Sequence, residues 1–255
     1  MYIDIKELSH KYSTEDEDLL VLSNLSFSVG KEQFVSIVGP SGCGKSTLTK
    51  LIAGLSVPTK GKILISGSPV DSPRRSIGMA FQNPVLLEWR TALDNICLPL
   101  EIVSPQMTRI QKIARATELL EMVGLKDFSQ SRPSQLSGGM KQRVSLCRSL
   151  VHRPEILILD EPFGALDAFT REGLWKTLKN LKTSENFTCI LITHDLREAI
   201  YLSDEVVILT DRPGKVKKSV KINFKRDSNS IDKLYSKEAT KMLAFLRKQI
   251  ELSHT

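Results

Sequence analysis

Nine consecutive residues, Gly39-Pro40-Ser41-Gly42-Cys43-Gly44-Lys45-Ser46-Thr47, have the types and spacing of a loop that holds polyphosphate: Gly, four residues, then Gly-Lys-Ser/Thr. Glycines let successive backbone N–H groups turn inward around the phosphates, and a following helix adds partial positive charge from its N-terminus. In such a loop Lys45 reaches the β- and γ-phosphates, and the Ser46 hydroxyl ligands Mg2+. A second stretch, Ile156-Leu157-Ile158-Leu159-Asp160-Glu161, is four aliphatics ending in two carboxylates. With a phosphate loop upstream, Asp160 suits Mg2+ contact through water, and Glu161 suits polarisation of an attacking water. The expectation is a chain that binds a nucleoside triphosphate.

Other residues are less specific when taken singly. Ser137-Gly138-Gly139, at the start of a second helical pattern, offers bare N–H groups to an anion, but many loops carry such a run. His194 follows an apolar strand pattern, where it is either a structural group or one placed to meet a γ-phosphate. Tyr12, read as a loop residue, is either partial core or a platform for a purine. Cys43, inside the phosphate loop, is expected to be open to thiol reagents.

Elements with the right periodicity surround these residues. Phe34–Val38 reads as a buried strand entering the loop, and Thr47–Ala53 as the helix leaving it, stopped by Gly54. Tyr2–Leu8 alternates as an edge strand, and Leu25, Phe27 and Val29 alternate in a second, with an acidic exposed loop at Glu15 to Asp18 between them. Lys62–Ile65, a turn at Gly67, and Ile77–Phe81 follow, the last running into Gln82. From Leu86 to Leu150 the pattern is helical, with Ile110, Ile113, Leu120 and Val123 on one stripe and Gly124 as a cap. The helix opened by Ser137-Gly138-Gly139 carries Val144, Cys147 and Leu150 on one face, and the helix after Asp167 carries Leu174, Leu178 and Leu181. Ile156–Asp160 and Cys189–Ile192 read as buried parallel strands, which deliver their C-terminal residues to the edge where open α/β sheets bind ligands. Glu205–Leu209 makes another strand, Val220, Ile222 and Phe224 one more, and Ile231–Leu252 a terminal amphipathic helix.

At 255 residues the chain has room for one large domain with a substantial core. No apolar run approaches the ~20 residues of a membrane helix, and Met1–Glu7 lacks the pattern of a signal peptide, so a cytosolic product is expected. Cys43, Cys97, Cys147 and Cys189 are scattered, which points to buried reduced thiols rather than to a zinc site or disulfides. The net charge is +7. Its densest cluster, Lys215, Lys217, Lys218, Lys221, Lys225 and Arg226, is either a solvated strand face or a contact for an anionic surface.

The order Tyr12, residues 39–47, Gln82, Ser137-Gly138-Gly139, Asp160-Glu161, Asp167, His194 resembles the nucleotide-binding subunit of ATP-binding cassette (ABC) transporters over roughly Met1 to Val220. The segment Leu87–Ile96, with Asp211-Arg212-Pro213-Gly214, looks most like the importer branch serving nitrate, sulfonates, taurine and related solutes. Met140 stands where the broad family usually has glutamine, and Glu88 where that branch commonly has proline. The resemblance implies an α/β fold. Its parts are a P-loop NTPase core with a mostly parallel sheet, an N-terminal antiparallel β subdomain and an inserted α-helical subdomain. Within one ABC ATPase domain over 1–255, the core is expected at 1–85 and 151–220, the helical subdomain at 86–150 and a tail at 221–255.

The same resemblance implies ATP and Mg2+ as cofactors and a head-to-tail homodimer. ATP on one copy's residues 39–47, beside Tyr12, is capped by Ser137, Gly138 and Gly139 of the other. Lys45, Gln82, Glu161 and His194 are the implied catalytic group, Ser46, Gln82 and Asp160 the metal contacts, and Asp167 a nucleotide-site residue. The implied partners are permease subunits, whose short helix is received around Gln82 to Asn95, and indirectly an extracytoplasmic solute-binding protein. Nucleic acid is not expected, and the location implied is peripheral, on the cytoplasmic face of the membrane. Rival readings are weaker on the residues themselves. A chromosome-maintenance ATPase needs a long coiled coil between loop and signature, and no sustained heptads lie between Lys45 and Ser137. A non-enzymatic module has no use for both Lys45 and Glu161, nor a small-molecule kinase for Ser137-Gly138-Gly139.

Overall fold

The computed structural model describes residues 1–13, 17–164, 166–223 and 231–252. Part of the acidic loop from Glu15 to Asp18, together with Phe224, Lys225 and Arg226, all named above, and Ala165 before Asp167 lie outside these residues. In chain order the elements begin with β1 (Ile3–Ser13), β2 (Asp18–Val29), β3 (Phe34–Val38), α1 (Lys45–Ile52), β4 (Lys60–Ile65) and β5 (Ser68–Pro69). Then come β6 (Ile77–Ala80), α2 (Ala92–Val103), α3 (Arg109–Met122), α4 (Gly138–Leu150), β7 (Ile156–Asp160) and α5 (Ala168–Glu185). The chain closes with β8 (Thr188–Ile192), α6 (Leu196–Leu202), β9 (Glu205–Leu209), β10 (Val216–Lys221) and α7 (Lys237–Glu251). Two compact units result, Met1–Arg74 with Thr188–Thr255, and Arg75–Phe187.

The first unit holds an antiparallel sheet ordered β2-β1-β4-β5, and core strands ordered β10-β9-β3-β8. β3 runs parallel to both β8 and β9, and β10 is antiparallel to β9. All five residues of β3 and of β8 are buried, as continuous apolar runs in a two-sided parallel sheet require. The registers Ile37↔Ile192 and Val38↔Ile208 bring the chain out of all three strands at one edge. In the second unit β6 and β7 pair in parallel with Ala80↔Leu159, so Gln82 and Glu161 leave a common edge. The helices α2, α3 and α4 also belong to this unit. Two helices end in paired bonds that satisfy their last carbonyls around a left-handed glycine. Gly54 (φ 74°) closes α1 through Leu55 N–H to Lys50 O and Gly54 N–H to Leu51 O. Gly124 (φ 68°) closes α3 through Leu125 N–H to Leu120 O and Gly124 N–H to Glu121 O.

Five expectations are corrected. β1 is not an edge strand, because β2 and β4 flank it; alternation reports one buried face and says nothing about neighbours. It also runs on through Ser9–Tyr12, crossing register shifts that break the simple alternation. On α3 the stripe is rotated: Ile110 and Ile113 are exposed, whereas Arg115, Ala116, Leu119 and Leu120 are buried. The terminal helix is two pieces, a 3-10 turn at Ile231–Tyr235 and α7, divided where the Ser236 hydroxyl caps Ala239 N–H. β10 stops at Lys221, one residue before Ile222.

Candidate functional site

In the first unit, residues 39–47 wrap from β3 into α1. Gly42 (φ 77°) and Gly44 (φ 102°) take up the left-handed backbone that favours glycine. Gly44 has a second reason: a Cβ there would lie 2.5 Å from Leu22 Cδ2 and 2.8 Å from Val21 Cγ1. β2 therefore presses on the loop from behind. Lys45 is buried, and its ammonium donates to Gly39 O at 2.8 Å and Pro40 O at 2.7 Å, which holds the cation inside the curve of the loop. Ser46 is an exposed residue in the first turn of α1. Tyr12 is 39% exposed at the end of β1, and its hydroxyl lies 3.2 Å from Thr47 Oγ1.

Cys43 corrects another expectation. Its side chain is fully buried, and burial pushes the thiol up against the opposing pull of Lys45. It is a packing residue, inaccessible in the folded loop. From the other side the turn after β9 supports the loop: a Cβ on Gly214 would sit 2.2 Å from Cys43 O. His194, exposed just past β8, shares the edge with residues 39–47, since Thr193 N–H bonds Ile37 O at 3.3 Å. Thr193 is tied in turn to Glu198 of α6, an anchor that sequence reasoning missed.

In the second unit, Asp160 ends β7 with 6% exposure. Glu161 follows at φ 47°, a left-handed conformation that costs a non-glycine residue about 1–2 kcal/mol and swings its side chain out of the strand path. Gln82, exposed beyond β6, donates from Nε2 to Glu161 Oε2 at 3.3 Å. The backbone before Gln82 is held by the signature helix: buried Gln142 donates from Nε2 to Phe81 O at 3.3 Å. Sequence reasoning gave Gln142 no role, because a mid-helix glutamine has no signal of its own. Ser137 is the N-cap of α4, its Oγ accepting from Met140 N–H at 3.3 Å. Gly138 is exposed, and a Cβ there would meet nothing within 4 Å; one on Gly139 would meet Leu166 Cδ2 at 2.9 Å. Asp167 caps α5 through Thr170, and those hydrogen bonds hold its carboxylate below the usual range. The loop before α2 is organised by Asn95, fully buried, whose amide donates to Leu87 O, Arg90 O and Thr91 O and accepts from Leu87 N–H. Sequence reasoning placed Asn95 only at the end of a surface segment.

The donors of Ser46, Gln82 and Asp160 are hard oxygens, as Mg2+ prefers, and few of them are needed when phosphates and waters complete the shell. Among the described residues no three His, Cys, Asp or Glu side chains cluster as a self-sufficient metal cage.

A glycine-lined phosphate loop between a buried parallel strand and a helix, with a strand-end acid pair and a glycine-opened signature helix, defines a P-loop ATPase of the cassette type. Residues 22–164 match the ABC transporter family, and the chain belongs to it. The chain is 39% identical over 243 residues to the aliphatic sulfonates import ATP-binding protein SsuB of Bacillus thuringiensis subsp. konkukian, covering 95% of each. It is 40% identical over 232 residues to the nitrate import ATP-binding protein NrtD of Synechococcus elongatus, covering 89% of this chain and 85% of that one. The solved dimeric post-hydrolysis state of the ATP-binding cassette MJ0796, bound to ADP and Pi, superposes with a TM-score of 0.81. It is 33% identical and covers 88% of this chain and all of that one. The α/β cassette fold is thus established, and with it ATP binding and ATP hydrolysis coupled to transport.

Proposed function

We propose that the chain energises a membrane importer of a small solute, as a homodimer closing around two ATP. The observation that carries this is Gly138, exposed at the start of a helix with open space where a Cβ would be. Among the described residues nothing demands glycine there. A second copy's γ-phosphate, approaching the bare N–H groups of residues 138 and 139, would demand it. Ser137, Gly138 and Gly139 of one copy then cap ATP held by Gly39, Pro40, Ser41, Gly42, Cys43, Gly44, Lys45, Ser46 and Thr47 of the other, with Asp167 beside the seam. Tyr12 stacks on the purine. Binding closes the pair and hydrolysis releases it, a ligand-driven shift between two states.

Within each site Lys45 neutralises charge on the β- and γ-phosphates. Glu161, oriented by Gln82, accepts a proton from the attacking water, and His194 contacts the γ-phosphate through the transition state. Ser46, Asp160 and Gln82 are the residues to hold Mg2+, which when bound offsets charge on the phosphate oxygens. Residues 1–85 and 151–220 form the nucleotide core in this reading, 86–150 the coupling arm and 221–255 a tail.

The segment from Gln82 to Asn95 is the seat for a short helix of a permease subunit. Val85 and Trp89 are 64% and 73% exposed there, and apolar side chains so displayed suit a helix partner. No helix among the described residues is long and apolar enough to cross a membrane. In this reading the chain attaches peripherally through its permease partners, at the cytoplasmic face. An extracytoplasmic binding protein would deliver the solute. Sulfonates and nitrate, named in the relatives, and taurine or a thiamine-precursor pyrimidine all fit this reading. A nucleic-acid role is disfavoured because part of the basic cluster is engaged by the tail: Lys217 donates to Gln249 O, and Lys218 lies 5.0 Å over the Phe245 ring. The test is ATPase rate with the companion permease in vesicles against rate with DNA or RNA. Stimulation by the permease alone supports the reading, and stimulation by nucleic acid alone overturns it.

A further inference from the structure

Beside the nucleotide loop, β1 carries a residue that neither the fold nor the reaction above explains. His10 is 8% exposed, and neither ring nitrogen has a hydrogen-bond partner. Burying such a group unpaired works against stability, so a buried imidazole in this position calls for another reason. Its neighbour supplies one. The His10 and Tyr12 rings meet at 4.9 Å between centroids and 88° between planes, the edge-to-face arrangement that aromatic pairs favour. Tyr12 is also held at its far end, where its hydroxyl lies 3.2 Å from Thr47 Oγ1 in the phosphate loop. Across the strand pair His10 stands opposite Leu22, the side chain that presses on Gly44.

We infer that His10 is a positioning residue for nucleotide recognition, fixing the Tyr12 ring as a pre-formed platform for the purine. Two contacts set that ring, the His10 ring and the Thr47 hydroxyl, and both come from the chain itself. A platform already ordered loses less freedom when the base arrives, so the benefit appears in affinity for the base-bearing ligand and nowhere else. This rests on Tyr12 as the purine contact. A register shift falls between His10 and Lys11, so the two side chains are coupled by the contact of their rings rather than by strand alternation.

The test compares binding of ATP and of inorganic tripolyphosphate to His10→Ala, His10→Phe and Tyr12→Ala. An aromatic pair of this geometry predicts that His10→Ala weakens ATP binding by about 3- to 10-fold. Tripolyphosphate affinity should stay unchanged, which also certifies that the phosphate loop is folded. KM for ATP should rise with kcat unaltered, and His10→Phe, which keeps a ring edge, should restore KM. Equal weakening of both ligands, or of neither, would overturn the inference, as would a His10→Phe variant no better than His10→Ala. If Tyr12→Ala binds ATP as tightly as the wild type, Tyr12 itself is not the purine contact. That result removes the underlying reading, and the role of His10 with it.

Discussion

Replacing Gly138 with alanine separates what the chain needs from what a partner copy needs. Gly138 is the first residue of α4, and a Cβ there would meet nothing within 4 Å. Alanine exceeds glycine in helix propensity by about 1 kcal/mol in a helix interior, and by less in the first turn. For a chain of this size that bounds the change in melting temperature between zero and a rise of about 2–4 °C. Hydrolysis should respond in the opposite direction. A methyl group on that face blocks the approach of a phosphate to the helix start, and a hydrogen bond to a charged group is worth about 1.5–3 kcal/mol. Steady-state phosphate release at saturating ATP should therefore fall by about 10- to 100-fold. The neighbouring Gly139 would be a poorer probe, because its Cβ would press on Leu166 at 2.9 Å and confuse packing with partner contact. A Gly138→Ala protein that melts as the wild type and hydrolyses ATP at the wild-type rate would refute the reasoning.

Three further outcomes are expected. Lys45→Ala should abolish nucleotide binding by calorimetry, since the cation held over Gly39 O and Pro40 O is the loop's only lysine; tight binding would contradict the loop assignment. His194→Ala, an exposed site, should leave the unfolding free energy within about 0.5 kcal/mol of wild type yet lower turnover on the order of 10²-fold, and an unchanged rate would make His194 structural. Burial pushes the Cys97 thiol up to about 11 and the Cys147 thiol up to about 12 from an ordinary 9.0. These groups keep their protons in the folded chain when the unfolded chain releases them, so their contribution is intact below pH 9 and declines from about 9 toward 11–12. Urea midpoints across that range should fall, less steeply in Cys147→Ala; parallel profiles for the two proteins would count against the burial argument.

The parts of the fold that could be read from sequence are those whose residues answer to one constraint. β3, β7 and β8 are short apolar runs because both faces of each are covered, and residues 39–47 are spaced by what a phosphate demands of a backbone. Where two constraints compete, the reading slipped. β1 carries register shifts between Ile5 and Lys11, so its alternation breaks off before Tyr12 although the strand continues to Ser13. On α3 the charged Arg115 hides the true buried stripe, because it lies inward to reach Val151 O and Glu185. At Ser236 a single side-chain cap outweighs an apolar period that runs on past it. The bonds from Gln142 to Phe81 O and from Asn95 to its loop were invisible for a different reason. They join polar residues to backbone carbonyls, and a carbonyl has no letter in the sequence.

The central claim is tested most directly by the mass of Glu161→Gln protein with and without Mg·ATP, measured by light scattering on the eluting peak. Loss of a positioned base should slow turnover by on the order of 10²–10⁴-fold and trap the ATP-bound form. The account predicts a particle of twice the 28.6 kDa chain mass with Mg·ATP, reverting to one chain when nucleotide is removed. A protein that binds Mg·ATP yet remains a single chain, in solution and beside its permease, would contradict it.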